Sequence, residues 1–200
     1  MKRIVIPGEL LSEDRKRLGG NVFVSDGKIY SKVLGIVDDD GERASVVPLE
    51  GKYAPQMEDT VIGVVGRVIS AGYLLDMNSY TESFIPRSAL RNGDLKVGDV
   101  VMAKVTDVNE LKEANIAFPK VLFGGDIIAV SAVRTPRLIG KSGSMLDLLK
   151  QGTGSEIVVG KNGRVWAKGG NLELLRKVVL FIEANSYKSN LTSAVEGFFK

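Results

Sequence analysis

A short glycine-containing loop, Gly140-Lys141-Ser142-Gly143, holds the residues of this chain best suited to contact an anion. Two glycines three positions apart let the backbone turn tightly and approach another chain closely, because neither has a Cβ atom. The N–H groups at the start of the helix predicted after the loop, together with its dipole, favour a negative charge. Arg137 and Lys141 add mobile positive charges. This pattern predicts a loop that clamps a sugar-phosphate backbone.

The residues Gly140-Lys141-Ser142 also match the end of the phosphate-binding P-loop motif, but the rest of that motif is missing. A P-loop requires a glycine five residues before Gly140, where Thr135 stands. A buried strand should also precede the loop, and Pro136-Arg137 stands there instead. The sequence therefore does not predict nucleotide hydrolysis.

The chain contains no cysteine and no histidine. Disulfides, Cys/His zinc sites, Ser-His-Asp triads and Cys-His pairs are therefore excluded. The densest carboxylate cluster, Asp38-Asp39-Asp40, stands beside Gly41 and predicts a solvated turn rather than a metal site. We expect a protein with no catalytic residue, no metal and no cofactor.

The residues around the glycine loop predict a mixed α and β segment. Apolar residues between Leu172 and Ile182 recur at helical spacing, with Asn171 at the helix entry. The Asn162-Gly163 pair predicts a tight hairpin turn. The predicted order is a strand at 126–133, a short helix, the loop, a helix at 144–150, strands at 156–159 and 165–168, a helix at 171–185, and an amphipathic stretch at 191–199 that packs back on its neighbours.

The first 130 residues predict short strands separated by turns, which is typical of small barrels rather than of a parallel sheet. These strands are expected at 21–25, 28–36, 43–48, 61–70, 72–77, 82–86 and 100–108. The predicted fold class is mainly β with an α+β C-terminal part. Three domains are predicted: a small β-barrel-like domain at 1–59, a β-barrel at 60–132 and an α+β domain at 133–200.

The positive charge of the chain is concentrated near its C-terminus. The net charge is +3 overall, while residues 133–200 have a net charge of +6 and residues 1–132 one of −3. A basic C-terminal third in an otherwise near-neutral chain predicts a local binding site for a polyanion. No stretch approaches the roughly 18 apolar residues of a membrane span, and Pro7-Gly8 ends the first apolar run too early for a signal peptide. We expect a cytoplasmic protein with no membrane partner.

The predicted order of strands, helices and GxxG loop over about residues 130–185 resembles a type I KH domain. The segment 152–159 is similar to the helix-to-strand connection of that family. The resemblance implies binding of single-stranded RNA, with residues 140–143 at the RNA backbone and adjacent apolar residues cradling the bases. It implies RNA contacts for Arg134 and Arg137 as well.

The middle segment, 61–133, resembles an S1-type OB-fold. The matching stretches are residues 64–69, 72–76, 83–88 and 97–105. The resemblance implies that bases stack on exposed aromatic side chains at Tyr73 and Phe84. It also implies positive charge on the same face, from Arg67, Arg87 and Lys104. The histidine that this family often has after its second aromatic strand is absent, and the segment is slightly acidic, so we expect weak RNA contact there.

A small β domain, an S1 domain and a KH domain in this order resemble the S1-and-KH cap subunits of the archaeal exosome over nearly the whole chain. Further shared features are residues 5–9 and the Tyr53-Ala54-Pro55 run before the S1 segment. The motif Gly160-Lys161-Asn162-Gly163 matches the GxNG signature of that family. The resemblance implies that this motif serves packing between the S1 and KH domains, with Asn162 in a structural role.

The resemblance to these cap subunits also implies partners. Three cap copies sit on a hexameric ring of RNase PH-like subunits, which degrades RNA from its 3′ end, while the caps collect single-stranded RNA for the pore. The N-terminal domain would then dock on the ring, the S1 domain would rim the pore and the KH domain would grip RNA. A second kind of cap protein could share the ring.

Three alternatives stay open at this point. The first is another S1/KH RNA-binding factor, in transcription elongation or on the ribosome, although elongation factors of the NusA type have paired KH domains and this chain has room for one. The second is an assembly scaffold that has lost RNA binding, against which Gly140 and Gly143 are intact. The third is a phosphorolytic or hydrolytic enzyme, for which the Asp38-Asp39-Asp40 cluster gives little support.

Overall fold

A computed structural model describes residues 3–49, 51–90, 93–188 and 190–199 of the chain. Their contacts divide the chain into an N-terminal unit, Met1–Gly51, and a C-terminal unit, Lys52–Lys200. This division falls at Gly51, and the domain boundaries expected at residues 59 and 132 stay predictions. None of the helices in the described ranges has the length and apolar character that crossing a membrane requires.

Short strands in two sheets form the described part of the N-terminal unit. They are β1 (Ile4–Val5), β2 (Leu10–Ser12), β3 (Arg17–Leu18), β4 (Val22–Ser25), β5 (Lys28–Ser31), β6 (Gly35–Asp39) and β7 (Arg43–Pro48). One sheet has the order β1-β6-β7-β3 and the other β2-β5-β4. The two sheets share a small core of Val5, Val22, Ile29, Ala44 and Val46.

The single strand predicted at 28–36 is in fact two strands, β5 and β6. The Ser31 hydroxyl donates a hydrogen bond to the Val33 carbonyl at 2.6 Å and accepts one from the Val33 N–H at 3.2 Å. Such a local side-chain turn competes with the strand ladder, so the chain changes sheet there.

A closed five-stranded barrel follows in the C-terminal unit. Its strands are β8 (Thr60–Ile69), β9 (Gly72–Asp76), β10 (Ser83–Pro86), β11 (Val100–Val108) and β12 (Ala114–Leu122), in the order β10-β12-β11-β8-β9. Alternate side chains fill its interior, among them Val61, Val65, Tyr73, Leu75, Ile85, Val101, Val105 and Ile116. Closure leaves the barrel without exposed strand edges.

The sequence did not predict strand β12. Pro119 lies inside it and lacks the N–H that a ladder needs. The strand is irregular at this point, because the register with β11 shifts between Met102 and Lys104, and Phe118 has a φ of 55°. A bulge therefore accommodates Pro119 within the strand.

The rest of the C-terminal unit is an α+β layer pair. It contains β13 (Asp126–Ala129), α1 (Thr135–Ile139), α2 (Ser144–Thr153), β14 (Glu156–Gly160), β15 (Arg164–Lys168), α3 (Leu172–Ala184) and α4 (Leu191–Glu196). The sheet is antiparallel in the order β13-β15-β14. The predicted class, mainly β with an α+β C-terminal part, is confirmed.

Helix α3 has the predicted entry and buried face. Asn171 caps it, with its Oδ1 accepting a hydrogen bond from the Leu174 N–H at 3.0 Å. Leu175, Val178, Val179 and Ile182 are buried at helical spacing. These side chains form the core that the sheet and α2 share.

The C-terminal segment packs back on this core, as predicted. Leu191 and Val195 of α4 are buried in it. The Phe199 ring lies against the backbone of Gly152 in α2, in the space that a Cβ at position 152 would take.

Candidate nucleic-acid interface

The GxxG loop joins α1 to α2 in a conformation that requires both glycines. Gly140 has a φ of 75°, and a Cβ there would lie 2.7 Å from the Met145 backbone nitrogen. Gly143 has a φ of 87°, which a side chain strains even where space is open. Ser142 also has a left-handed φ, of 53°. The backbone N–H groups that begin α2 therefore face a tight, exposed turn.

Two of the predicted cations stand free beside this loop. Arg137 and Lys141 are exposed, and neither forms an ion pair within the described residues. Ser142 is exposed between the two glycines. This surface can therefore offer two charges, one hydroxyl and a helix start to a phosphate group.

Arg134, by contrast, forms a hydrogen bond within the fold. Its guanidinium group donates a hydrogen bond to the Glu183 carbonyl oxygen at 2.7 Å, near the end of α3, and the side chain is half-buried. A cation at a helix C-terminus is stabilising there. The RNA contact predicted for Arg134 is not supported by this geometry.

Asp147 is a neighbour of the loop that the sequence analysis overlooked. It lies in the first turn of α2, and its Oδ2 atom is 3.9 Å from the place of a Cβ on Gly143. A carboxylate in the first turn stabilises the helix, but its negative charge repels a phosphate group at the same helix start. Its position four residues after Gly143, in the first turn of the predicted helix, was the signal that could have found it.

In the barrel, the structure corrects the prediction for Tyr73. Its side chain is fully buried, at 0% exposure, and its hydroxyl donates a hydrogen bond to Asp94 at 2.6 Å. This bond to a carboxylate raises the pKa of Tyr73, and with the charge of Arg87 it lowers the pKa of Asp94. The Arg87 guanidinium lies 5.2 Å from the ring centroid. The expected exposure of Tyr73 is wrong, and no base can stack on it in this structure.

Phe84 points out of the barrel, between Ser83 and Ile85, which point inward. Its ring covers Gly72, where a Cβ would lie 2.7 Å from Cε2 of the ring. The side chain is half-buried, so part of it is exposed to solvent. Base stacking on Phe84 remains a prediction.

The cations predicted for the barrel are all paired with carboxylates. Arg67 binds Glu82 at 2.6 Å, Arg87 binds Asp94 at 2.6 Å, and Lys104 binds Glu58 at 2.5 Å. Each partner neutralises a charge that a phosphate would otherwise meet. This pairing agrees with the expectation of weak RNA contact by the barrel.

The GxNG motif joins the barrel to the α+β layer through Asn162. Its side chain is fully buried; Oδ1 accepts from the Ile62 N–H at 3.1 Å, and Nδ2 donates to the carbonyls of Ile62 at 2.7 Å and Met77 at 2.9 Å. The pairing of strands β8 and β9 ends at Val64 and Asp76. The Asn162 amide therefore bonds to backbone groups of Ile62 and Met77, which lie just beyond that end of the ladder. The structural role expected for Asn162 agrees with these contacts.

Both glycines of this motif are needed at the contact. A Cβ on Gly160 would collide with Asn162 and with the Ile62 nitrogen, and one on Gly163 would collide with the Val130 carbonyl. Gly163 also has a φ of 79°. A larger residue at position 160 would push the motif away from the barrel, and one at position 163 would push it away from the segment that follows β13.

Two ion pairs flank Asn162. Lys161 binds Asp59 at 2.9 Å, and Asp59 also accepts a hydrogen bond from the Tyr53 hydroxyl at 2.7 Å. Burial, together with this bond, raises the pKa of Tyr53. Arg164 binds Asp76 at 2.6 Å. The GxNG loop is thereby fixed on the barrel, a short way from the GxxG loop.

Comparison with known proteins gives consistent matches to each part. Residues 2–50 match the family model of the exosome RNA binding protein RRP4 N-terminal domain, and residues 125–173 match that of the KH domain. A solved crystal structure of an exosome complex RNA-binding protein is similar with a TM-score of 0.66 and 26% identity, covering 74% of this chain and 95% of that one.

Curated relatives extend the similarity over the whole chain. Exosome complex component Rrp4 of Methanosarcina mazei is 38% identical over 100% of this chain and 82% of the relative. The component of the same name from Methanothermus fervidus is 34% identical over 98% of this chain and 94% of the relative, and that from Pyrococcus furiosus is 33% identical over 98% and 81%. With matches at this level across barrel, KH domain and N-terminal unit, the chain belongs to the Rrp4 family of exosome complex components.

Proposed function

We propose that this chain is a non-catalytic RNA-binding cap subunit of an archaeal exosome. It captures single-stranded RNA and guides it to the pore of a ring of RNase PH-like subunits for 3′–5′ degradation. The observation that supports this most directly is the GxxG loop at the start of α2, with Arg137 and Lys141 exposed beside it and without an ion-pair partner in the part of the chain that the structure describes. Backbone clamping of this kind gives little sequence readout, which suits a protein that must accept many RNAs.

The parts of the chain divide this work. Residues 137–143 grip the RNA backbone, while the barrel, with Phe84 and its paired cations, rims the pore and contacts RNA weakly. The N-terminal unit docks on the ring. Three copies on one hexameric ring raise the effective concentration of each weak site, so no single module needs to bind tightly. A second kind of cap protein can take some of the three places, and the complex works in the cytoplasm.

The experiment that tests the assembly is a pull-down of the tagged chain from native extract, followed by mass spectrometry of the intact complex. We expect RNase PH-like subunits, with three cap subunits for every six ring subunits. A chain that emerges alone, or with RNA polymerase, would contradict the exosome assignment and leave only a general S1/KH RNA-binding factor.

Replacing Asp147 by asparagine should raise the affinity for single-stranded RNA about twofold to fivefold, because it removes a like charge worth roughly 0.3–1 kcal/mol near the phosphate position. Fluorescence anisotropy with a labelled oligonucleotide at low salt measures the change. The matched control is Glu196→Gln on α4, which alters the net charge equally on an exposed surface. Equal affinities for Asp147→Asn and wild type would place the phosphate away from the first turn of α2.

A further inference from the structure

Two exposed phenylalanine rings lie beside the junction between the barrel and the α+β layer. Phe118 in β12 and Phe123 just after it are each 74% exposed. The junction itself is closed by a buried cluster of Ile62, Leu122 and Trp166. Phe123 directly follows Leu122 of this cluster, and Phe118 lies earlier on the same strand. Single exposed apolar side chains are ordinary, but two aromatic rings beside one junction need an explanation.

The backbone conformation at Phe118 is strained. Its φ of 55° lies in the left-handed region, which glycine adopts far more easily than a bulky aromatic residue. It falls in the bulge of β12, between the register pairs Lys104–Ala117 and Met102–Lys120. Because the ring is exposed, packing within the fold does not offset this strain. An outlier of this kind points to a use at the surface.

The loop after Phe123 is fixed by the α+β layer. The Trp166 indole N–H donates a hydrogen bond to the Gly124 carbonyl oxygen at 2.7 Å. Gly124 and Gly125 have φ values of 69° and 77°, and a Cβ on Gly125 would collide with the Ala167 carbonyl oxygen. Phe123 therefore adjoins a defined turn, which reduces the conformational freedom that it loses when a ligand binds.

Two lysines add positive charge beside these rings. Lys120 and Lys168 are exposed, and neither forms an ion pair in the part of the chain that the structure describes. The Lys168 ammonium group lies 3.9 Å from the place of a Cβ on Gly124, so it stands next to the loop that follows Phe123. Glu156 is opposite Lys168 in the β14–β15 ladder but does not pair with it. Both lysines are therefore available to a phosphate group.

We infer that a junction surface, formed by Phe118, Lys120, Phe123 and Lys168, binds single-stranded RNA as a second contact beyond the GxxG loop. Exposed aromatic rings on which bases stack, set among cations that meet phosphates, are typical of surfaces that bind single strands with little sequence preference. A protein partner fits less well, because lysine is depleted in protein–protein interfaces. The inference rests on the proposed function, since it assumes that RNA is held at the GxxG loop.

The junction surface and the GxxG loop lie at opposite ends of the β14–β15 hairpin. Lys161, at the hairpin turn, lines one cleft together with Gly140 of the GxxG loop. Lys168 ends β15, and a strand of this length spans about 15 Å. Short RNA can therefore use the GxxG loop alone, whereas longer RNA can reach both sites and gain affinity through effective concentration.

The test is Phe118→Ala combined with Phe123→Ala in the full chain, with fluorescence anisotropy on two lengths of RNA. One RNA has about five nucleotides, close to the four that a KH domain clamps, and the other about fifteen. We expect wild type to bind the longer RNA at least about tenfold more tightly. The double variant should lose about fivefold to a hundredfold in affinity for the longer RNA, the size of one base stack, and should bind the shorter RNA within about twofold of wild type.

The controls separate stacking from stability. Phe118→Tyr combined with Phe123→Tyr keeps both ring faces and should keep the affinity for the longer RNA. Tyr187→Ala removes an aromatic ring that is 77% exposed after α3, and it should change neither affinity. All these variants should melt within about 2 °C of wild type, because the substituted rings are exposed.

The outcomes distinguish this inference from the proposed function. Wild-type protein that gains nothing from the longer RNA, or a double variant that binds both RNAs as wild type does, would overturn the junction surface alone. A double variant that keeps its RNA affinity but no longer recovers ring subunits in the pull-down would make the surface a protein contact. Wild-type protein that binds neither RNA at low salt would overturn the proposed RNA capture, and the inference with it.

Discussion

Replacing Lys141 and Ser142 together by aspartate should lower the affinity for single-stranded RNA by roughly tenfold to a hundredfold. The change removes a free cation and sets two carboxylates against the phosphates at the start of α2. Hydrogen bonds to charged groups contribute about 1.5–3 kcal/mol each, so the loss of one or two gives a change of this size. Anisotropy titrations at several salt concentrations measure it.

The control for this variant changes Lys188 and Asn190 to aspartate, which alters the net charge by the same amount at exposed positions after α3. The salt dependence adds a second readout, because every phosphate that the variant no longer neutralises should reduce the slope of log K against log salt by about 0.7 for a single strand. If the affinity and the slope both stay at wild-type values, the GxxG loop is not part of the RNA site, and the KH domain of this chain does not bind RNA through that loop.

Asn162→Ala should destabilise the chain by about 2–4 kcal/mol. The Ile62 N–H and the Met77 carbonyl lose their Asn162 partner inside the contact between barrel and α+β layer, and each buried group left unpaired costs roughly 1–3 kcal/mol. For a chain of this size that corresponds to a fall in melting temperature of roughly 5–15 °C. Thermal unfolding followed by circular dichroism measures it.

Asn115→Ala serves as the comparison, because Asn115 is exposed on β12 and its side chain forms no hydrogen bond within the described residues. That variant should unfold within about 2 °C of wild type, as surface substitutions usually change stability by less than about 0.5 kcal/mol. An Asn162→Ala protein as stable as Asn115→Ala would mean that the GxNG loop does not hold the barrel against the α+β layer.

The sequence was most informative where local rules decide the structure. The GxxG loop, the Asn171 cap and the buried stripe of α3 each depend on residues within one or two turns of each other, and all three form as expected. Asn162 was identified from its motif, although its partners lie about a hundred residues earlier.

The sequence was least informative where a pattern was ambiguous. Residues Tyr73, Leu74 and Leu75 are consecutive and apolar, so a period of two cannot tell which of them face the barrel interior. In the structure Tyr73 and Leu75 face inward. The hydrogen bond of Arg134 could not be predicted for a different reason, since its partner is a backbone carbonyl 49 positions away, which no side-chain pattern reveals.

The contact between Gly152 and Phe199 has a consequence for how this family varies. A glycine inside a helix costs about 1 kcal/mol relative to alanine, so position 152 would gain from alanine if space allowed. The Phe199 ring occupies that space. The two positions should therefore change together during evolution, with alanine at 152 accompanied by a smaller residue at 199, and a chain that ends before this ring should tolerate the alanine freely.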